Sequence, residues 1–144
     1  MGFGDHLRGR NPGFDQHEPP ADGGRPLEDA VFCGADDAEL VEHETSALRI
    51  LCDLPQISAL DLTFSPAFEG VDPHVHEDHV DSFYVLEGTI EFVGGEDPRR
   101  GEPGTFVAAP RNAVHGFRNP GPGQLRVFNL HTPPGGFVDR VRRG

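Results

Sequence analysis

From Leu27 onward the chain is written in short apolar runs, each cut off by glycine, proline, asparagine or aspartate. That punctuation argues for many short strands and against long helices. Strands are predicted over 30–33, 40–43, 47–53, 57–65, 74–76, 82–86, 89–93, 105–108, 114–118 and 125–131. No helical periodicity lies between them, so a parallel α/β sheet is not expected. Residues 82–86 and 89–93 flank Glu87-Gly88 and predict a hairpin. Gly94-Gly95, Asp97-Pro98 and Glu102-Pro103-Gly104 mark the next turns. Only 137–143 reads as a short C-terminal helical turn. The expected class is all-β, a sandwich or barrel.

Residues 1–26 differ in kind, with six glycines, four prolines and few large apolar side chains. They predict a flexible arm, or an extended segment ordered against a neighbouring subunit. Residues 27–144 form the β domain, and 144 residues in all suffice for one real core.

A formal charge of −12 argues against nucleic acid and anionic membrane surfaces as partners. All twelve basic residues are arginine, which removes Schiff-base lysine chemistry and a lysine-type phosphate loop. Cys33 and Cys52 are nineteen apart without a CxxC pattern, and read as reduced, buried thiols. The opening MGFGDHLRGR has no apolar stretch of signal-peptide length, and its Met1-Gly2 start lacks the Ser or Thr of a myristoylation pattern. A soluble, cytoplasmic protein is expected.

Two stretches carry the chemistry. Residues 70–88 read GVDPHVHEDHVDSFYVLEG and residues 104–119 read GTFVAAPRNAVHGFRN. They hold His74, His76, Asp81 and His115, a set able to chelate one divalent transition metal if the fold unites them. His74 and His76 are two apart, so on a strand both rings leave one face. Aspartate reaches roughly 1.5 Å less far than glutamate. Asp81 must therefore sit on a closer backbone, ligate through water, or bond a ligating imidazole instead. Glu77 and His79 are nearby substitutes. His6, His17 and His43 read as ordinary surface or satisfied histidines.

These spacings resemble the cupin family. His74 and His76 are followed by four residues, Asp81, six residues and Gly88. Gly104, Pro110, Asn112, His115 and Asn119 fall at the spacings of the family's second motif. Asp81 stands where the family has glutamate, and Asn112 where it has glycine; both Asn and Gly tolerate positive φ. The resemblance implies a jelly-roll barrel, or double-stranded β-helix, with His74, His76, Asp81 and His115 around one metal. It also implies a homodimer paired through sheet edges, and a C-terminal piece covering the barrel mouth. Asn119, Pro110 and Gly104 read as architecture.

Imidazole and carboxylate suit Mn, Fe, Ni, Co, Zn or Cu, and the sequence does not choose. Four protein ligands on an octahedral ion leave two positions for a small molecule, with Asp81 able to double as a base. By resemblance the leading expectation is a quercetinase-like dioxygenase, an oxidoreductase acting on a small oxygen-rich molecule. A sugar or keto-acid isomerase or epimerase and a non-catalytic binding protein are the alternatives. Phe83, Phe92, Phe106, Phe117 and Phe128 are expected in the core or pocket wall. His131 is expected to be exposed or structural, with a place in the pocket as the alternative. Arg49 and Arg126 are expected on outer strand faces rather than reaching into the barrel.

Overall fold

A computed structural model describes residues 17–144. His6 and the Met1-Gly2 start lie outside the described residues. By internal contacts the chain divides into a unit ending at Phe32 and a second, Cys33–Gly144. In the first, Leu27–Asp29 forms one 3₁₀ turn. The strand expected over 30–33 does not form, and those residues are irregular.

The second unit holds ten strands and one helix. Six strands make one sheet: β1 (Glu39–Glu42), β2 (Ser46–Leu54), β3 (Ile57–Phe64), β5 (Val80–Glu87), β8 (Phe106–Ala109) and β10 (Leu125–Thr132), ordered β1-β2-β3-β10-β5-β8. The other four, β4 (Val71–His74), β6 (Ile90–Val93), β7 (Arg99–Gly101) and β9 (His115–Arg118), are ordered β4-β9-β6-β7. All pairings are antiparallel. This is the jelly-roll arrangement expected. A terminal helix, α1 (Phe137–Arg143), coincides with the predicted turn. Among the described residues, no helix is long and apolar enough to cross a membrane.

The hairpin expected around Glu87-Gly88 is not one. β5 lies in the six-stranded sheet and β6 in the other, so Glu87-Gly88 is a corner between sheets. Gly88 has φ 77°, and a Cβ there would run into the backbone at Gln124. The tight-turn signal is the same for a corner as for a hairpin, because both demand positive φ in little space.

Alternation decides what the barrel encloses. Along β10, Leu125, Val127, Asn129 and His131 are buried while Arg126 is exposed. On β5 the buried series is Val85, Phe83 and Asp81. The two strands pair with Val127 opposite Val85 and His131 opposite Asp81. The inward face thus runs from hydrocarbon at one end to polar groups at the other. Leu60, Leu62, Val85, Ile90, Leu125 and Val127 fill the apolar end. Helix α1 adds Val138 and Val141 to the same core.

The outer face of β3 carries one buried charge. Asp61 accepts from Arg49 Nη1 at 2.8 Å, and from Arg126 Nε at 2.9 Å and Nη2 at 2.7 Å. Arg126 is the larger influence, and with Arg49 it holds this carboxyl below the usual range against the opposing effect of burial. Both arginines are thus committed on the outer face. Cys33 and Cys52 are free and half-buried.

Candidate metal centre

The polar end of the barrel is built by two neighbouring strands and the start of a third. His74 closes β4 and stands directly opposite His115, the first residue of β9. The register between β4 and β9 is irregular between Val71 and His74. Pro73 falls in that irregularity on an edge strand, where a missing N–H costs least. Gly116 makes the close approach possible, since a Cβ there would meet the Val71 carbonyl oxygen and the Asp72–Pro73 backbone.

His76 departs from expectation. It lies beyond the end of β4, not on the strand. Its ring still reaches the site because the chain turns back after His74, with the Asn112 N–H donating to the His76 carbonyl at 2.8 Å. Asn112 has φ 66°, the conformation expected where asparagine replaces glycine. Asn119 behaves as architecture: its Nδ2 donates to the Phe64 and Gly123 carbonyls, and its Oδ1 accepts from the Gly121 N–H.

One donor atom from each of His74, His76, Asp81 and His115 falls within 4.8 Å of all the others. His74 Nε2 is 3.1 Å from His76 Nε2, His115 Nε2 is 3.2 Å from Asp81 Oδ2, and His76 Nε2 is 3.4 Å from the same oxygen. The short aspartate at the start of β5 still places one oxygen, Oδ2, against both His115 and His76. His74 Nδ1 donates to the Asp72 carbonyl at 2.7 Å and His115 Nδ1 to the Ala113 carbonyl at 2.9 Å. Those bonds place the Nδ1 protons, so both Nε2 lone pairs are available to point inward. Lone pairs and a carboxylate oxygen facing one another repel unless a proton or a cation lies among them. The donor set therefore fits a divalent transition ion, and its N and O character suits the series from manganese to zinc.

The electrostatics agree. Burial acts most strongly on Asp81 and pushes its carboxyl upward. With a proton rather than a cation between His115 Nε2 and Asp81, hydrogen bonds from His115 and Asn129 and the neighbouring imidazoles outweigh it and leave the group below its usual range. His115 is raised, chiefly by its bond to Asp81. His76 is lowered, first by burial and then by neighbouring imidazoles.

Three of the four, His74, His76 and Asp81, border a cavity of about 270 Å³, while His115 is not among its lining residues. Leu62, Phe64, Phe83, Phe117 and Phe137 supply its apolar wall. No arginine is among the described residues that line it. Of the phenylalanines expected there, Phe83 and Phe117 are present, while Phe92 packs against the core. Phe106 is 59% exposed on β8, and Phe128 lies on the outward face of β10.

Two further histidines lie beside the donor set. His79 is outside the donor set: its ring is buried and stacked on His76 at 4.2 Å, while Glu77 is exposed. His131 is also buried and lines the cavity, with its ring stacked on Phe137. Burial lowers its imidazole to about 4. Asn129 and His131 could have been found by alternation, as polar residues on the side of β10 that otherwise carries Leu125 and Val127.

A family model described as the cupin domain matches residues 61–131, a span that includes all four donors. KdgF from Halomonas sp. is similar at 26% identity, covering 71% of this chain and 94% of that one, with a TM-score of 0.62. TT1209 from Thermus thermophilus shares 22% identity over 72% of this chain and 98% of its own, with a TM-score of 0.61. A sugar phosphate isomerase of the cupin superfamily from Silicibacter pomeroyi shares 17% identity over 70% of this chain and 74% of its own, with a TM-score of 0.63. The last two likenesses speak to fold alone. Comparison with curated proteins gave no match. With the two motifs, the jelly roll and the family match in agreement, this chain belongs to the cupin superfamily.

Proposed function

We propose that this cupin is a metal-dependent oxidoreductase of the dioxygenase type. His74, His76, Asp81 and His115 would hold one divalent transition metal, and the substrate would be a small, oxygen-rich, single-ring molecule. The supporting observation is the cavity itself: an aromatic-walled space with one cluster of N and O donors at its polar end. A volume of about 270 Å³ lies at the lower edge of small-molecule sites, which favours one ring over a flavonol. The want of a lining arginine disfavours a phosphorylated or otherwise strongly anionic substrate.

When bound, the metal would supply Lewis acidity and, if redox-active, electron transfer. The chain's own residues do the rest. Phe83 and Phe117 confine the ring and exclude water. Asp81, fixed through Oδ1 by Asn129 Nδ2 at 2.8 Å, is the nearest carboxylate to take the proton of a substrate hydroxyl. The backbone bonds of His74 and His115 hold both rings before any ligand arrives.

Oxygen uptake with a panel of catechols, on protein loaded in turn with manganese, iron, cobalt, nickel and copper, tests this reading. Uptake that depends on the metal and disappears in Asp81→Asn is expected; no uptake at any loading overturns it. A second reading, isomerisation of an unphosphorylated sugar or keto acid, is favoured by Asp81, Asn129 and His131 together lining the polar end of the cavity, which suits a hydroxyl-rich ligand. Turnover of such compounds under nitrogen would select it. We also propose a homodimer through the outer face of β5 and β8, where Tyr84 and Phe106 are exposed cross-strand partners. Elution as a monomer in gel filtration would contradict that.

A further inference from the structure

Two of the three candidate imidazole ligands owe their ring planes to the backbone. His74 and His115 each bond through Nδ1 to a carbonyl two residues before them, at Asp72 and Ala113. His76 has no counterpart to those bonds. It lies past the end of β4 and, among the described residues, its ring makes polar contacts through Nε2 only, toward His74 Nε2 and Asp81 Oδ2. It also borders an open cleft that Val75, Glu77, Asp78 and Arg140 help to line. The outer torsion of an imidazole is broad, so such a ring is held in plane by whatever packs on its faces.

His79 packs there. The two ring centroids are 4.2 Å apart and the planes are inclined by only 28°. The rings of His74, His115 and His131 instead meet His76 at 58° to 71°, with centroids 4.7 Å or more away. His79 is itself well fixed. Its side chain is buried, and its Nδ1 donates to Asp78 Oδ1 at 2.9 Å. Gly135, with φ 62°, presses on the same ring, and a Cβ at that position would run into it.

We propose that His79 is a positioning residue for the metal centre. Its buried ring, wedged against Gly135, sets the plane of His76 and keeps Nε2 turned toward the other donors. The role depends on the flat shape of the ring. It rests on the metal-site reading above, and adds a residue that offers no donor atom of its own to the site. It also makes Gly135 part of the site's support, acting on His76 through His79.

Cobalt(II) is the probe, because its visible absorption reports affinity and ligand geometry together. His79→Leu keeps apolar bulk and loses the flat face. It is expected to bind cobalt about tenfold to a hundredfold more weakly, with an altered visible band. His79→Phe is expected to restore most of both. Gly135→Ala should behave like His79→Leu. Gly136→Ala carries a similar strain, at φ 76°, but its Cβ would meet only Arg140 Nη1, so it should bind cobalt as wild type does. A histidine with a merely structural role would lower the urea midpoint and leave the cobalt affinity and band of the folded protein unchanged. That result in His79→Leu overturns the proposal, as does an equal loss in His79→Phe. Metal-free wild type needs no variant to fold. Its His76 and His79 ring protons should show mutual NOEs, and the His76 ring should be as ordered in ¹³C relaxation as that of His74. A His76 ring far more mobile than His74 overturns the proposal. If wild type binds no cobalt, the metal-site reading itself fails and carries this one with it.

Discussion

His74 and His115 face each other across β4 and β9, with ring centroids 4.5 Å apart. This single cross-strand pair joins the two sequence motifs. It depends on an irregular β4 lying unusually close to the backbone of β9, and Gly116 permits that approach.

Gly116→Ala is therefore a test of the site's scaffold. The added methyl meets main chain rather than a side-chain tip, so β4 must move. The expected cost is about 1–3 kcal/mol in urea unfolding, with weakened metal binding. An unchanged midpoint and unchanged metal content would contradict the close approach.

Asn119→Ala removes three hydrogen bonds that tie the second motif to Phe64, Gly121 and Gly123. The Phe64 carbonyl partner is buried, so its acceptor is left unpaired. Destabilisation of about 2 kcal/mol is expected, with the metal site retained in the folded fraction. Equal stability would show that water replaces the amide.

The Asp61 carboxyl, held low first by Arg126 and then by Arg49, makes a pH prediction. Its folded-state value is depressed, so its contribution to stability is complete above the unfolded value of about 3.9. That contribution is lost as pH falls through the lower folded value. Wild type should exceed Asp61→Asn by about 2 kcal/mol at pH 7, and the gap should close as acid protonates the carboxyl. A gap independent of pH would contradict the pairing as its cause.

Much of the site was legible because ligand spacing is a local property. His74, His76, Asp81 and His115 are set by two short motifs, and the structure brings all four together. Most strand positions followed from punctuation, but the strand expected over 30–33 does not form, that expected over 74–76 lies at Val71–His74, and Arg99–Gly101 pairs as β7 with no apolar run to mark it. Sheet membership was not legible, since Gly88 signals positive φ for a hairpin and a corner alike. His131 was legible only in part, since alternation marks its side of β10 but not what it meets there. Its burial comes from Phe137 just beyond it and from the pairing of β10 with β5, and the second of these joins stretches far apart in the chain. Phe106, apolar yet exposed, shows that composition does not say which face of an edge strand a side chain takes.

Metal content measures the central claim most directly. Protein prepared without chelators and incubated in turn with manganese, iron, cobalt, nickel, copper and zinc should retain close to one ion per chain with at least one of them. The His74→Ala, His76→Ala double variant, folded by circular dichroism, should retain none. Metal-free wild type after every incubation, or full retention by the double variant, would contradict it.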